Sequence, residues 1–330
     1  MKTICFSLSF VLSLCAQAQT SEDIPRLKDA LQRFPLADKN GDGVLTMDEA
    51  KEFRKEKEKD SPDNKPGQGD GGNSHIYKTV GKHELKLFVD SPKGHKAEAE
   101  VPVIVFFHGG GFKSGSETQF EKQAKYLAER GMVAIRVRYR LTKDPGVEVT
   151  DCVEDAISAM RWVRANAGKL GIDPERIAAS GGSAGGYLSA ATLLVDHINA
   201  KTDPEGVSAK PNAMVLFNPG FGNREQDTDS RDLDGKGNLL NHVKPGAPPT
   251  IVFHGKEDIT VPFATVEAFT AVMKKAGNRC ELIGYEGAGH SFFNSGKHYE
   301  QTLAETDKFL TGLGWLAKME KPAAIEGLVR

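Results

Sequence analysis

The chain reads as an α/β protein: a doubly wound, mostly parallel sheet preceded by a small helical module. Three observations predict this. Short runs of consecutive apolar residues (VPVIVFFH, MVAIRVRY, IAAS, AMVLFN, TIVFHG and ELIGY) alternate with longer helix-like stretches. Runs apolar at successive positions suit strands buried on both faces, and their alternation with helices implies right-handed crossovers. One strand-to-helix junction, IAASGGSAGGYLSAATLL at 177–194, holds at its centre, from Gly181 to Gly186, one hydroxyl, Ser183, among residues with almost no side chain. Composition breaks at SPDNKPGQGDGGNS, residues 61–74, a Pro/Gly-rich stretch without apolar period that reads as a flexible linker.

The elements follow in order. Residues 1–18 have the makings of a secretory signal: Lys2 at the start, an apolar stretch from Ile4 to Cys15, and Ala16-Gln17-Ala18 as the cleavage site. The stretch is too short to span a membrane, so the mature protein is expected to be secreted or periplasmic. A lipidation signal at Cys15 is disfavoured by the bulky Leu14 before it. Residues 19–60 are charged and helix-prone around DKNGDGVLTMDE. After the linker, a domain over 75–318 opens with two antiparallel strands, HIYKTV and ELKLFVD, and continues with the parallel runs. Helices are expected at 118–130, 150–169, 184–199, 262–276 and 298–311; residues 219–249 read as an extended surface loop and 319–330 as a tail.

The totals narrow the function. A chain of 330 residues accommodates one large domain and a small module, and 43 basic against 45 acidic residues argue against a nucleic-acid or anionic-membrane partner. Removing the leader takes Cys5 and Cys15, leaving Cys152 and Cys280, which lack metal-ligand spacing and read as two buried small hydrophobes whose pairing is open.

Bulk is stripped from around Ser183 for a steric reason. A serine on a strand-to-helix turn adopts a strained backbone, and side chains two before and two after it would clash. Gly181 and Gly185 remove those clashes, giving G-x-S-x-G, a nucleophile elbow. The spacing matches neither G-x-x-x-x-G-K nor G-x-G-x-x-G, so phosphate binding fails on register. A serine hydroxyl is a weak nucleophile and needs a base that is itself oriented by an acid. Partners are expected in the order serine, acid, histidine, each just past a strand. Asp258 follows TIVFHG and His290 follows ELIGY; Glu257 adjoins Asp258, but the loop register favours Asp258. His254 reads as a backbone hydrogen-bonder, His298 as a helix-surface residue, and His75, His83, His95, His197 and His242 as solvated. In VIVFFHGGGFKSG a buried strand ends in His108-Gly109-Gly110-Gly111. There the amides of Gly110 and Gly111, with that of Ala184, can face a developing oxyanion, and His108 reads as structural. Phe112, Tyr187, Phe221, Phe292 and Phe293 are candidates to line a pocket, although core packing explains aromatics equally well.

Residues 38–49 follow D-x-[DN]-x-[DN]-G with Glu at the twelfth position. Asp38, Asn40 and Asp42 offer side-chain oxygens, Val44 a carbonyl, Thr46 a hydroxyl and Glu49 a carboxylate, with Gly43 at the sharp turn. The bland alternative is a capping box over Thr46–Glu49, which leaves the alternation of Asp38, Asn40 and Asp42 unexplained. The segment resembles an EF-hand, with Pro35 shortening its leading helix. The resemblance implies a non-catalytic Ca2+ ion. A mate at 227–238 fails: Gly235 at position six puts Ser230 first and Asn241 twelfth, losing both carboxylates.

HGGGF, DPERIAASGGSAGG, HGKEDITVP and GAGHSFF occur in order, with the helix DAISAMRWVRANAGKLGID. Over residues 80–316 the chain resembles a secreted esterase of the α/β-hydrolase superfamily, similar to its carbohydrate-, feruloyl- and acetyl-esterase-like branches. Gly182 departs from the GDSAGG of hormone-sensitive-lipase-like esterases, whose long helical N-terminal cap is also missing; this implies a more open site and argues against lipid-like specificity. The resemblance implies ester hydrolysis through an acyl-enzyme with Ser183, His290 and Asp258, no cofactor for the chemistry, and a small-molecule or carbohydrate ester as partner. A calcium-dependent partner is left open. Two rivals remain at this point: a serine peptidase of the same fold, and a calcium-dependent binding protein with an inert hydrolase domain.

Overall fold

Strand β3 (Val101–Phe107) shows how the sheet is built. Val103, Val105 and Phe107 pack into one apolar cluster, while Ile104 and Phe106, pointing the other way, pack into a second. A pleated strand sends successive side chains to opposite faces, so a run apolar at every position belongs between two layers. The computed structural model describes residues 20–22, 27–28, 31–32, 35–60, 73–81, 83–221 and 239–319. The leader at 1–18, most of the linker, the rejected loop 227–238 and the tail beyond Met319 lie outside the described residues. The chain divides into two units, residues 1–64 and 65–330.

In the larger unit, β1 (Ser74–Val80), β2 (His83–Asp90), β3, β4 (Val133–Val137), β5 (Ile172–Gly182), β6 (Ala213–Phe217), β7 (Thr250–Gly255) and β8 (Cys280–Tyr285) form one sheet in the order β1-β2-β4-β3-β5-β6-β7-β8. The pairs β1–β2 and β2–β4 are antiparallel and all the others parallel. Helices α3 (Val149–Ala165), α5 (Ala184–Leu194) and α6 (Phe263–Lys275) give Val153, Leu188 and Phe269 to the first cluster. Helices α2 (Glu121–Glu129) and α7 (Gly296–Gly312) give Leu127 and Leu310 to the second. The expected doubly wound sheet is present. Truncating a fully buried residue such as Phe107 to alanine costs about 3–5 kcal/mol by analogy with other cores.

Boundaries differ from the sequence reading at several points. The helix expected at 118–130 begins with a 3-10 turn, Glu117–Phe120. The stretch 150–169 breaks at Asn166, and the short helix α4 (Ala167–Leu170) ends on left-handed Gly171. Helix α5 stops at Leu194 because Val195 turns extended. Strand β1 starts at Ser74, inside the segment read as linker. Of the stretch read as a surface loop, Phe221, Leu239 and Leu240 are buried in the core. Cys152 and Cys280 are free and buried; burial pushes their thiols up to about 12 and about 11. His95, His197 and His242 are half-buried rather than solvated, His95 Nε2 lies 2.8 Å from the Leu170 carbonyl, and His298 is half-buried against Tyr285 and Phe292. No helix among the described residues is long and apolar enough to cross a membrane.

In the smaller unit, α1 (Met47–Asp60) follows the loop 38–49. Leu45 is fully buried against Leu27 and Ala37.

Candidate active site

Between β5 and α5 a single residue, Ser183, makes the turn. Its φ of +52° and ψ of −115° are held by bonds on both sides. The Ser183 N–H donates to the Phe217 carbonyl at 3.0 Å, and its carbonyl accepts from Gly220 N–H at 2.9 Å and Tyr187 N–H at 3.1 Å. A non-glycine residue persists in that region only when its surroundings over-determine it. The two flanking glycines are needed by close approach. A Cβ on Gly185 would collide with the Phe107 carbonyl, and one on Gly181 with the backbone of Gly185. Gly182 has a different cause: a Cβ there would sit 2.5 Å from the Phe293 ring, which stacks on Phe120. The departure from an acidic residue at this position is thus a packing requirement of Phe293.

The structure brings Ser183, His290 and Asp258 together from the ends of β5, β8 and β7. His290 Nε2 lies 2.9 Å from Ser183 Oγ, and Nδ1 lies 2.6 Å from Asp258 Oδ2. An ionised carboxylate only accepts, so Nδ1 carries the imidazole proton and Nε2 accepts from the serine hydroxyl. Asp258 Oδ1 accepts from the Thr260 and Val261 amides, each at 2.9 Å. Burial opposes ionisation of Asp258, yet bonds from His254, His290 and the Val261 N–H hold it well below the usual carboxylate range. Glu257 is exposed, and its N–H donates to the Ala288 carbonyl.

The glycine loop after β3 lies beside the nucleophile: a Cβ on Gly109 would be 3.4 Å from Ser183 Cβ. Gly109 N–H is committed to Gln119 Oε1 at 2.6 Å. The Gly110 and Gly111 amides meet no backbone or side-chain acceptor among the described residues, and Ala184, first in α5, has no helical acceptor for its own. Gly110 has a φ of +109° and its carbonyl accepts from Lys113 and Ser114, which fixes the loop. His108 is structural, as expected. It stacks on Tyr139, its Nδ1 lies 2.8 Å from the Gly109 carbonyl, and burial lowers its pKa to about 4.

One residue near the site escaped the sequence reading, and a second has a neighbour that reading did not foresee. Asn218, directly after β6, is fully buried with a φ of +33°, and its Oδ1 accepts from Ser291 N–H at 3.1 Å, one residue past His290. Its only signal was its place at the same strand-end rim. His254 makes the expected backbone bond, Nε2 to the Val261 carbonyl at 2.9 Å, and also stands 3.3 Å from Asp258 Oδ2. Phe112, Tyr187, Phe221 and Phe293 are core residues; Phe292 is partly buried against Tyr285.

Comparison with known proteins agrees with this fold. The BD-FAE family profile matches residues 89–215 and that of the dienelactone hydrolase family residues 237–319. Esterase 2 of Thermogutta terrifontis, solved with propionate bound, is 42% identical, with a TM-score of 0.72 over 77% of this chain and 99% of that one. The chain belongs to the α/β-hydrolase esterases. The same Thermogutta esterase has been solved phosphorylated by paraoxon, 43% identical, with a TM-score of 0.71 over 76% of this chain and 98% of that one. A probable isoprenylcysteine alpha-carbonyl methylesterase of Arabidopsis thaliana is 26% identical over 245 residues, 66% of this chain and 50% of the plant protein. The chain spans about half the length of the curated relatives it matches. In this α/β-hydrolase the serine–imidazole–carboxylate chain suits acyl transfer.

The loop 38–49 behaves differently. Asp38 accepts from the Gly41 and Gly43 amides, Asn40 from Asp42 N–H, and Asp42 from Val44 N–H, all within 3.0 Å. Glu49 accepts from the amide and hydroxyl of Thr46, and Thr46 Oγ1 accepts from Glu49 N–H, a reciprocal cap on α1. These bonds lower the Glu49 pKa. No three acidic, imidazole or thiol groups are gathered as a metal cluster among the described residues. The donor set itself, all oxygens with three carboxylates, fits a hard cation such as calcium.

Proposed function

We propose that Ser183 is the nucleophile, His290 the general base, Asp258 its orienting acid, and the Gly110, Gly111 and Ala184 amides the oxyanion donors of a serine esterase for short-chain carboxylic esters. The observation that carries this is the unbroken chain from Ser183 Oγ through both His290 nitrogens to Asp258. Ser183 Oγ attacks the ester carbonyl as His290 Nε2 takes the hydroxyl proton. The tetrahedral oxyanion rests on the three amides and collapses to an acyl-serine, with the alcohol leaving on the proton from Nε2. Water, deprotonated by the same nitrogen, then releases the acid. Propionate bound to the Thermogutta relative supports a short acyl group. Acyl groups on carbohydrate are the finer reading, resting on the resemblance to carbohydrate-, feruloyl- and acetyl-esterases. A panel of acetylated, feruloylated and longer-chain esters tests it. Ser183→Ala is expected to lower p-nitrophenyl acetate hydrolysis by at least about 10³-fold. Retained activity would overturn the assignment.

Export is part of the same proposal, supported by Lys2, the apolar stretch and Ala16-Gln17-Ala18. So is a calcium ion at 38–49. Asp38, Asn40, Asp42, Val44, Thr46 and Glu49 supply its oxygens, and the turns at Gly41 and Gly43 have the positive φ that only glycine takes freely. The ion would neutralise three carboxylates and replace the Thr46 bond at Glu49; it takes no part in the ester chemistry. Calorimetry with calcium should give binding heat that Glu49→Gln abolishes. Equal heats from both proteins would remove the site.

A further inference from the structure

We propose that His254 is a positioning residue for ester hydrolysis: its Nε2–H, bonded to the Val261 carbonyl and 3.3 Å from Asp258 Oδ2, helps fix the carboxylate that orients His290. The inference rests on the reading of Ser183, His290 and Asp258 as the catalytic set.

His254 is the penultimate residue of β7, four residues before Asp258, and is fully buried. Its Nε2 lies 2.9 Å from the Val261 carbonyl and 3.3 Å from Asp258 Oδ2. Both neighbours are acceptors, so the tautomer is forced: Nε2 carries the proton and Nδ1 is bare. That bare Nδ1 is buried with no hydrogen-bond partner among the described residues. Leaving a buried polar atom unbonded costs about 1–3 kcal/mol, and an apolar side chain of similar size would avoid it. Packing alone is a poor reason for a histidine here. A donor that reaches both the Val261 carbonyl and Asp258 is a sufficient one.

The carboxylate gains a definite geometry from it. Oδ1 is held by the Thr260 and Val261 amides, while Oδ2 takes the short bond from His290 at 2.6 Å and the longer approach of His254. With both oxygens engaged, rotation of the carboxylate would break at least one bond. The titratable groups facing Asp258 are His254 and His290. Lys256 and Glu286 pair with each other and Glu257 is exposed. The His254 N–H also draws negative charge away from Oδ2. Its removal leaves more of that charge for the imidazolium of His290, which favours the protonated base and moves the acidic limb of kcat/KM to higher pH.

The experiment compares His254→Leu with His254→Gln, whose amide nitrogen can stand where Nε2 stands. Purified full-length variants are assayed on p-nitrophenyl acetate across pH. His254→Leu is expected to lower kcat about tenfold with KM within about twofold, and to move the acidic limb up by about half a pH unit. His254→Gln should restore both. A His254→Leu enzyme with wild-type kcat and limb would overturn the proposal, as would a His254→Gln enzyme equal to His254→Leu. Should His254→Leu fail to fold, the unsubstituted residue decides. In 15N-labelled protein its Nε2–H resonance must move on Asp258→Asn, and an unmoved resonance overturns the bond. Ser183→Ala in parallel separates the two claims, because a still-active Ser183→Ala sinks the catalytic set itself.

Discussion

The strand-end rim and the 38–49 loop both gather polar side chains, but they do so by opposite means. Ser183 and His290 are 107 residues apart and meet because β5 and β8 deliver them to one edge of one sheet. The loop carries all its oxygens within twelve residues, and its acids bond to amides two to five positions away. At the rim, distant structure imposes each position, including the strained backbones of Ser183 and Asn218. In the loop, each side chain is satisfied by its own turn, and an ion would have to draw them together. A site fixed by a fold should lose chemistry sharply when one member changes. A site made by local turns should lose only its ligand.

The largest expected effect breaks the rim at its acid. Asp258→Asn keeps the shape but removes the charge that favours the Nδ1–H tautomer of His290, and should lower kcat by about 10⁴-fold with the fold intact. A loss under tenfold would mean that Asp258 is not the orienting group. Asn218→Ala comes next. It leaves Ser291 N–H without its acceptor and loosens the turn that carries His290, so kcat should fall about 10- to 100-fold with KM little changed. An equal loss in KM and none in kcat would place Asn218 in substrate binding instead.

A smaller effect concerns stability at the rim's glycine loop. His108 is held neutral, with its pKa lowered from 6.5 to about 4 chiefly by burial. Between those values the unfolded chain binds the extra proton, so stability is full above about pH 6.5 and declines as pH falls toward 4, by roughly 3 kcal/mol. His108→Asn keeps a donor toward the Gly109 carbonyl without titrating. Its melting temperature should therefore fall less than the wild type's from pH 7 to pH 4. Parallel curves would show that His108 does not govern acid stability. The smallest effect is in the loop, where Glu49→Gln should cancel any calcium-induced rise in melting temperature of the smaller unit.

Much of this was legible in the sequence, for physical reasons. A strand between two layers must be largely apolar, so β3 through β8 announced themselves, and the order of the ends of β5, β7 and β8 placed Ser183, Asp258 and His290. The glycines at 181 and 185 spoke through sterics. What stayed hidden depends on neighbours that sequence does not specify. Asn218 looks like any turn residue after a strand; only its bond to Ser291 reveals its use. The glycine at 182 answers a ring more than a hundred residues away. The early end of α5 at Leu194 and the break at Asn166 reflect local caps, which periodicity does not mark. The loop at 38–49 was plain as a spacing rule, yet the spacing could not say that Glu49 caps α1 through Thr46.

The most direct measurement is the site of covalent modification by paraoxon, which phosphorylates the Thermogutta relative. Intact and peptide mass spectrometry of the treated protein should find one diethylphosphoryl group, on the Ser183 hydroxyl, formed far more slowly in Asp258→Asn. Modification of another residue, with Ser183 left free while activity is lost, would contradict the account.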